Sequence, residues 1–196
     1  MQPYFLTNHI AALLILVTIM AWGMMELSQI SQEDRTDATK VRRPALRIAM
    51  LVCLAATVAA VNLVPRLVPT AAIRPGLGSF LVGMLLLLGG LVLRGWSIMT
   101  LGEYFTHNVM VSSDQRVVAS GPYHLLRHPS YAGILLAAAG VGLAAANWVV
   151  VGGLLLLTVT PLLWRIRVEE KVLLKTVGEP YRAYAAEHKR VVPLVW

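Results

Sequence analysis

The sequence of 196 residues has few charged residues and only one cysteine. Asp, Glu, Lys and Arg make up 14% of the chain, whereas an ordinary soluble domain carries about 25%. The single Cys53 excludes a disulfide within the chain and a metal site built from a pair of thiols. We interpret Cys53 as a small residue of the core. With 57% hydrophobic residues, this composition argues against an ordinary soluble protein.

Charge is absent from long stretches of the chain. No Asp, Glu, Lys or Arg occurs among the 36 residues from Pro129 to Trp164. Because a membrane-spanning helix needs roughly 20 apolar residues, this stretch predicts two short spans with a turn near Asn147. With the other uncharged stretches, it indicates an all-α integral membrane protein with a carboxyl-terminal cytosolic helical segment. Five transmembrane helices are predicted, at about residues 6–26, 47–65, 76–97, 130–146 and 148–165.

The first apolar stretch could instead be a signal peptide. It lacks a start rich in Lys and Arg, and no cleavage site of small residues follows it. We therefore expect it to be a true span. No linker long enough to separate two domains is evident, so the sequence predicts a single domain over residues 1–196.

The basic residues predict the orientation in the membrane. Alternate connecting segments hold 14 Lys and Arg residues on one side and two on the other. By the positive-inside rule, the amino terminus lies outside and the carboxyl terminus in the cytoplasm. This bias explains the net charge of +7 without a nucleic-acid partner. Arg94 remains inside the third span, and we expect its long side chain to extend to the cytoplasmic surface.

The end of the chain has clear helix signals. The fourth span is rich in Ala and Gly, which let membrane helices approach closely, and we expect it to be central in the bundle. The fifth span is predicted to continue into water as a helix, in which Pro161 introduces a kink. Gly178 ends that helix, and Pro180 suits the first turn of a short helix with Tyr181 and Tyr184 on one face.

Polar residues cluster in three motifs beside the last two spans. The motifs are RHPSYAG (Arg127 to Gly133), RIRVEEK (Arg165 to Lys171) and GEPYRAY (Gly178 to Tyr184). Charged residues at a membrane are costly to keep for packing alone. If spans four and five form a hairpin, the first two motifs meet. We therefore predict a binding site for a charged small molecule.

Several other kinds of site are excluded or disfavoured. His124 and His128 have the spacing of half a metal site, but His128 precedes Pro129 and is therefore disfavoured in a helix. No third ligand stands nearby, and we predict no metal. The glycines between Gly76 and Gly83 miss the dinucleotide-binding pattern, and no nucleophile elbow is present.

The motifs together resemble one known family. RHPSYAG, preceded by GPY (Gly121 to Tyr123) and followed by EE and GEPYRAY, is similar to the isoprenylcysteine carboxyl methyltransferase family over about residues 101–193. The resemblance implies a membrane methyltransferase that binds S-adenosyl-L-methionine at the cytosolic face. It also implies a lipophilic or prenylated acceptor that arrives from the lipid bilayer. The group that receives the methyl would be a carboxylate like that of an isoprenylcysteine.

The resemblance also implies individual site residues. Arg165 matches an arginine assigned to the substrate carboxylate. The positions that match cofactor-binding residues of the family are Gln115, Arg116, Val117, Val118, Tyr123, His128, Pro129, Ser130, Tyr131 and Glu169. Gln115 departs from the histidine that is typical of the family at that position. The family also has a glutamine that would fall near Met110, and we assign its role to no residue of this chain.

The chemistry of such a donor agrees with these residues in outline. Glu169 can accept from its ammonium, Arg127 or loop amides can donate to its carboxylate, and Tyr123 and Tyr131 can hold its adenine. Methyl transfer to a carboxylate is an in-line displacement that requires no general base, so alignment and partial desolvation can supply most of the rate. The missing acid–base pair therefore does not argue against an enzyme.

Two other hypotheses are compatible with the sequence. One is a membrane reductase that uses NADPH, because sterol reductases share a similar carboxyl-terminal motif. The other is a non-enzymatic membrane protein that keeps the pocket for sensing or assembly. Within the methyltransferase hypothesis, a phospholipid amine, a small thiol or an isoprenoid acid are alternative acceptors.

Overall fold

The chain is almost entirely helical. The computed structural model describes residues 3–36, 44–74, 76–102 and 117–192, and it describes the side chains only outside residues 29–46. Within these ranges no strand is found, and isolated backbone bridges join Ala72 to Asn147 and Leu126 to Lys189. The predicted all-α fold class is confirmed.

Seven α-helices follow one another along the described chain. They are α1 (Tyr4–Thr7), α2 (His9–Thr36), α3 (Pro44–Leu67), α4 (Leu77–Leu101), α5 (Pro129–Ala144), α6 (Trp148–Thr176) and α7 (Glu179–Glu187). Short 3-10 helices occupy Pro69–Ala71 and Gly121–His124. The predicted turn near Asn147 is confirmed, because it lies between α5 and α6.

Four helices are long and apolar enough to cross a membrane. Their apolar segments are His9–Ser28, Arg47–Leu67, Leu77–Leu101 and Trp148–Thr176. The helix at the fourth predicted span, α5, is apolar but has only 16 residues. Four long spans and one shorter apolar helix agree with the predicted multi-pass membrane protein.

Asn147 organises the turn between α5 and α6. Its Oδ1 accepts hydrogen bonds from the backbone N–H groups of Val149 and Val150, at 2.9 and 3.3 Å, and so caps the first turn of α6. Its Nδ2 donates to the carbonyl of Val68 at 3.0 Å. The preceding Ala146 has a left-handed backbone with φ of 49°. A buried polar side chain thus fixes the chain reversal.

The chain divides into two compact units. The first comprises Met1–Leu88 and Ala138–Leu155, and the second comprises Gly89–Ala137 and Leu156–Trp196. The RHPSYAG motif at the start of α5 and the RIRVEEK motif in the second half of α6 both belong to the second unit. The single domain predicted over residues 1–196 stays a prediction.

Helices α2 and α3 pack together in the first unit. Gly23 lies against Leu54, where an added Cβ would come within 2.8 Å of a leucine methyl group. Cys53, one position away on α3, is exposed. The interpretation of Cys53 as a core residue is therefore wrong. In an apolar membrane-spanning helix, a small apolar side chain can also face outwards, because the surrounding lipid is as apolar as a core.

Close helix packing and a small apolar cluster frame the second unit. An added Cβ at Gly133 on α5 would lie 2.6 Å from the carbonyl oxygen of Gly90 on α4, so only glycine allows this approach. The apolar cluster beside it contains Leu126, Tyr131, Ala132, Ile166 and Val191. This cluster joins the RHPSYAG motif, α6 and the segment after α7.

The end of the chain follows the predicted helix signals. Helix α6 continues without a break through Pro161 to Thr176. Gly178 then adopts a φ of +72°, a conformation that favours glycine. Pro180 is the second residue of α7, and Tyr181 and Tyr184 are both buried. The predicted stop and restart of the helix are confirmed.

Candidate functional site

The RHPSYAG motif forms a tight entry into α5. Pro129 is the first residue of the helix, where its missing N–H leaves no helical hydrogen bond unmade. The carbonyl of His128 accepts from the backbone N–H groups of Tyr131 and Ala132, at 3.1 and 3.2 Å. His128, Pro129, Ser130 and Tyr131 are therefore held on the first turn of a buried helix.

The segment after α7 pairs with this motif through its backbone. The N–H of Arg127 donates to the carbonyl of Lys189, and the N–H of His128 donates to the carbonyl of Arg190, both at 2.8 Å. Two stretches about 60 residues apart in the sequence thus lie side by side. The pairing satisfies loop amides that would otherwise lack a partner at the buried entry to α5.

Tyr184 of α7 fixes the loop before the motif. Its hydroxyl donates to the carbonyl of Tyr123 at 2.6 Å and, more weakly, to that of Leu126 at 3.3 Å. Burial raises the pKa of Tyr184 to about 12. Since the hydroxyl keeps its proton well above neutral pH, this donor persists throughout the physiological range.

Tyr131 joins two charged residues of α6. Its hydroxyl accepts a hydrogen bond from Nε of Arg165 at 2.6 Å and donates one to Oε2 of Glu169 at 2.7 Å. Arg165 and Glu169 lie one helical turn apart, and the Arg165 guanidinium also lies 5.7 Å from the centre of the Tyr131 ring. The Tyr131 ring stacks on that of His128 at 5.4 Å. A cation, an anion and two buried rings therefore meet at one place.

Glu170 is the more buried of the two neighbouring glutamates, with 7% of its surface exposed. Its Oε1 lies 2.9 Å from Nη1 of Arg127 and 3.2 Å from Nε2 of His128. Arg190 donates to Oε2 through Nε at 3.0 Å and through Nη2 at 2.9 Å. Consecutive residues of a helix point about 100° apart, so Glu169 and Glu170 meet different partners.

Arg94 is buried, with 4% of its surface exposed. Its Nη1 donates to Oγ of Ser130 at 2.6 Å. The expectation that Arg94 extends to the cytoplasmic surface is therefore wrong. A buried guanidinium needs hydrogen-bond acceptors, and α4 brings Arg94 to the first turn of α5, where Ser130 supplies one.

The structure brings most of the predicted site residues into the second unit. Those that lie on the 3-10 helix before α5, at the entry to α5 or on α6 are Tyr123, His128, Pro129, Ser130, Tyr131, Arg165 and Glu169. Val117 and Val118 precede the 3-10 helix and are partly buried. Gln115 and Arg116 lie outside the described residues. The ligand contacts assigned to all of these positions stay predictions.

Three residues of the cluster could not be identified from local spacing. Glu170 meets His128 across 42 positions and Arg190 across 20. Arg94 meets Ser130 across 36 positions. Arg127, considered above for the cofactor carboxylate, already forms an ion pair with Glu170. A charge inside an apolar span, as at Arg94, is a signal from which sequence reasoning can identify a functional residue.

The described residues contain no group of three His, Cys, Asp or Glu side chains arranged to hold a metal ion. His124 instead lies near His188, with the two rings 6.3 Å apart. The cluster in the second unit combines the guanidinium groups of Arg165 and Arg190 with the carboxylates of Glu169 and Glu170. It therefore presents both signs of charge, which suits an organic ligand that also carries both.

The apolar helices and the buried charged cluster define a multi-pass integral membrane protein with a polar site. Residues 81–175 match the model of the isoprenylcysteine carboxyl methyltransferase (ICMT) family. These residues include the RHPSYAG motif, Arg165, Glu169 and Glu170. The resemblance seen in the motifs is confirmed over this part of the chain.

Several curated relatives are named as isoprenylcysteine methyltransferases. The chain is 30% identical over 121 residues to a probable protein-S-isoprenylcysteine O-methyltransferase of Oryza sativa, covering 58% of this chain and 61% of the relative. It is 33% identical over 114 residues to a protein-S-isoprenylcysteine O-methyltransferase of Xenopus laevis, covering 57% of this chain and 38% of the relative. The matches therefore span about three fifths of the plant relative and less of the frog relative.

A solved structure has the same fold. The eukaryotic intramembrane Ras methyltransferase ICMT aligns with 90% of this chain and 64% of its own, with a TM-score of 0.70. The sequence identity is 23%, so the likeness concerns the fold.

Proposed function

We propose that this chain is a membrane methyltransferase that uses S-adenosyl-L-methionine to methylate the carboxylate of an isoprenylcysteine-like acceptor. The family match and the names of the relatives support this class of reaction. The observation on which the proposal depends is the Tyr131 hydroxyl, which joins Arg165 to Glu169 beside the RHPSYAG motif. One side chain thus connects a cation for the acceptor to an anion for the donor.

The residues present fit the proposed donor. S-Adenosyl-L-methionine supplies a methyl group activated by a sulfonium, together with an ammonium and a carboxylate. Glu169 provides an acceptor for the ammonium. Tyr123 and Tyr131 are buried, with 7% and 8% of their surfaces exposed, and provide flat apolar walls for an adenine.

Arg165 is assigned to the acceptor carboxylate. Its Nε is oriented by Tyr131, and a planar guanidinium matches a carboxylate geometrically. In the transfer, a carboxylate oxygen forms a bond to the methyl carbon while the carbon–sulfur bond breaks. The electron pair stays on sulfur, and no proton moves. Arg165 and Tyr131 therefore act by orientation, which accounts for a site without a general base.

We also propose that the amino terminus faces outside and that the site and the carboxyl terminus face the cytoplasm. The distribution of Lys and Arg supports this orientation. A cysteine introduced near the carboxyl terminus should be protected from an impermeant thiol reagent in intact cells. The exposed Cys53 is first replaced by alanine, so that the introduced thiol is the one labelled.

The function is tested by methyl transfer with detergent-purified protein and labelled S-adenosyl-L-methionine. The acceptor is S-farnesylcysteine with a blocked amino group. Its methyl ester, which lacks the carboxylate, and the corresponding cysteine without a prenyl chain serve as matched controls. The expected result is base-labile labelling of the free acid alone.

Other outcomes would overturn parts of the proposal. Label in a phospholipid amine or a small thiol, without any in the prenylcysteine, would refute the carboxylate acceptor. Oxidation of NADPH with a sterol, together with no binding of S-adenosyl-L-homocysteine, would favour the reductase hypothesis. That alternative gains no support from the family match or from the relatives described above.

A further inference from the structure

Glu170 occupies the centre of the charged cluster, but the proposed methyl transfer does not require it. A buried carboxylate is costly unless hydrogen bonds compensate for the lost water. Here the compensation comes from three side chains in two segments, namely Arg127 and His128 of the motif and Arg190 of the segment after α7. Glu170 therefore connects α6 to both segments at once.

The contact with His128 restricts where the imidazole proton lies. An ionised carboxylate can only accept hydrogen bonds. Since Nε2 of His128 lies 3.2 Å from Oε1 of Glu170, Nε2 is the nitrogen that carries the proton. In the neutral ring, Nδ1 is then an acceptor, and we find no partner for it among the described residues. The stacking of the ring on Tyr131 keeps its plane fixed.

The contact with Arg190 holds the end of the described chain. Arg190 binds Oε2 of Glu170 through two nitrogens, a fork geometry that also fixes orientation. The backbone carbonyls of Lys189 and Arg190 accept from the motif, and Val191 packs in the apolar cluster. The segment 189–191 is therefore attached by charge, backbone and apolar contacts around one carboxylate.

We propose that Glu170 is a positioning residue of the donor site. It holds His128 with the proton on Nε2, so that Nδ1 accepts a hydrogen bond from the ammonium of the donor. It also fastens residues 189–191 to the RHPSYAG motif through Arg190. This inference rests on the proposed function and adds the chemical group of the donor that His128 meets.

The first experiment needs no methyl donor. Nitrogen NMR of ¹⁵N-histidine-labelled protein in detergent separates protonated from unprotonated ring nitrogens, and His128→Asn identifies the signals of His128. We expect a protonated Nε2 and an unprotonated Nδ1 in the wild-type chain. Glu170→Gln should mix the two tautomers. A proton on Nδ1 in the wild type, or unchanged signals in Glu170→Gln, would overturn the inference.

The second experiment measures binding by calorimetry. S-Adenosyl-L-homocysteine carries the ammonium, and its desamino analogue lacks it. Loss of a hydrogen bond to a charged group typically lowers affinity about tenfold or more. Glu170→Gln should therefore weaken the first ligand by about tenfold and leave the second nearly unchanged. Equal weakening of both ligands would indicate general damage and refute the specific role.

Matched variants separate positioning from folding. Glu179→Gln removes a carboxylate from an exposed pair with Arg182 and should change neither measurement. Glu170→Asp keeps the charge and should retain the wild-type tautomer. Arg190→Gln keeps the contact between Glu170 and His128, so it should preserve the tautomer but increase amide exchange at residues 189–191. If Glu170→Gln does not fold, the tautomer of the wild-type chain and the amide exchange of Arg190→Gln still test the two parts of the inference: a proton on Nδ1, or unchanged exchange at residues 189–191, would refute the corresponding part.

The outcomes also distinguish this inference from the proposed function. If the wild-type chain shows the expected tautomer but binds no S-adenosyl-L-homocysteine, the proposed function fails and the link between Glu170 and His128 stands. If the wild-type chain binds that ligand and Glu170→Gln binds it equally well, the positioning role fails and the proposed function stands.

Discussion

Replacing Tyr131 by phenylalanine removes a single hydroxyl and keeps the ring that stacks on His128. The hydroxyl accepts from Arg165 at 2.6 Å and donates to Glu169 at 2.7 Å. The bond from Arg165, which orients the acceptor, is a hydrogen bond to a charged group, and its loss alone costs roughly 1.5–3 kcal/mol. Without the hydroxyl, Arg165 and Glu169 can pair directly across one helical turn, which recovers up to about 0.5 kcal/mol. The expected net loss is therefore roughly 1–2.5 kcal/mol.

The loss should appear mainly in the transition state, because Arg165 and Glu169 lose the orientation that aligns acceptor and donor. A loss of that size lowers kcat/KM by about 5- to 70-fold. The assay is methyl transfer to the blocked farnesylcysteine, with kcat and KM determined for donor and acceptor separately. Tyr4→Phe is the matched control, because the Tyr4 hydroxyl accepts from the neutral side-chain amide of Asn8 rather than from a charged group. A kcat/KM within twofold of wild type for Tyr131→Phe would refute the reasoning.

Three further substitutions test other contacts of the site and the fold. Glu169→Ala should weaken the binding of S-adenosyl-L-homocysteine by about tenfold, measured by calorimetry, because an ammonium loses a charged acceptor. Arg165→Ala should spare that affinity but lower turnover with the carboxylate acceptor, measured by label transfer, because the nucleophile loses its orientation. Gly133→Ala should lower the free energy of unfolding by about 1–3 kcal/mol in a detergent melt, because the new Cβ would meet the carbonyl oxygen of Gly90 at 2.6 Å.

The measurements of donor affinity and of stability each have a control on the same chain. Glu187→Ala removes an exposed glutamate from α7 and should leave donor affinity unchanged. Gly152→Ala adds a methyl group where no atom lies within 4 Å, so it should not destabilise the fold. Unchanged donor affinity in Glu169→Ala would remove that residue from the site. Full turnover in Arg165→Ala would mean that the acceptor is not a carboxylate or that Arg165 only packs.

The helices were predictable because their signals are local. Uncharged stretches marked the membrane helices, and Asn147 and Gly178 marked the turns, since each acts on neighbouring backbone groups. The same reasoning placed Arg165 and Glu169 near the RHPSYAG motif. In a hairpin of two membrane helices, the start of the first helix and the end of the second lie at the same side of the membrane. Contacts of the motif with α6 follow from that topology and require no knowledge of side-chain orientation.

The contacts of Arg94, Glu170 and Arg190 could not be predicted in this way. Each depends on a side chain 20 to 42 positions away, and no spacing rule relates such positions. Snorkelling was a reasonable expectation for Arg94, but Ser130 offers it a buried acceptor. The sequence alone favours a core position for Cys53, because small apolar side chains often lie in a core. A membrane helix also borders apolar lipid, and Cys53 is exposed on that outer surface.

The pairing of the RHPSYAG motif with residues 189–191 has a consequence for biosynthesis. The amides of Arg127 and His128 bond to carbonyls that are made about 60 residues later. Until the ribosome has released that segment, Glu170 lacks Arg190 and the motif lacks its backbone partners. The lipid-embedded helices can therefore enter the bilayer during translation, while the polar centre matures only after residues 189–191 have been synthesised.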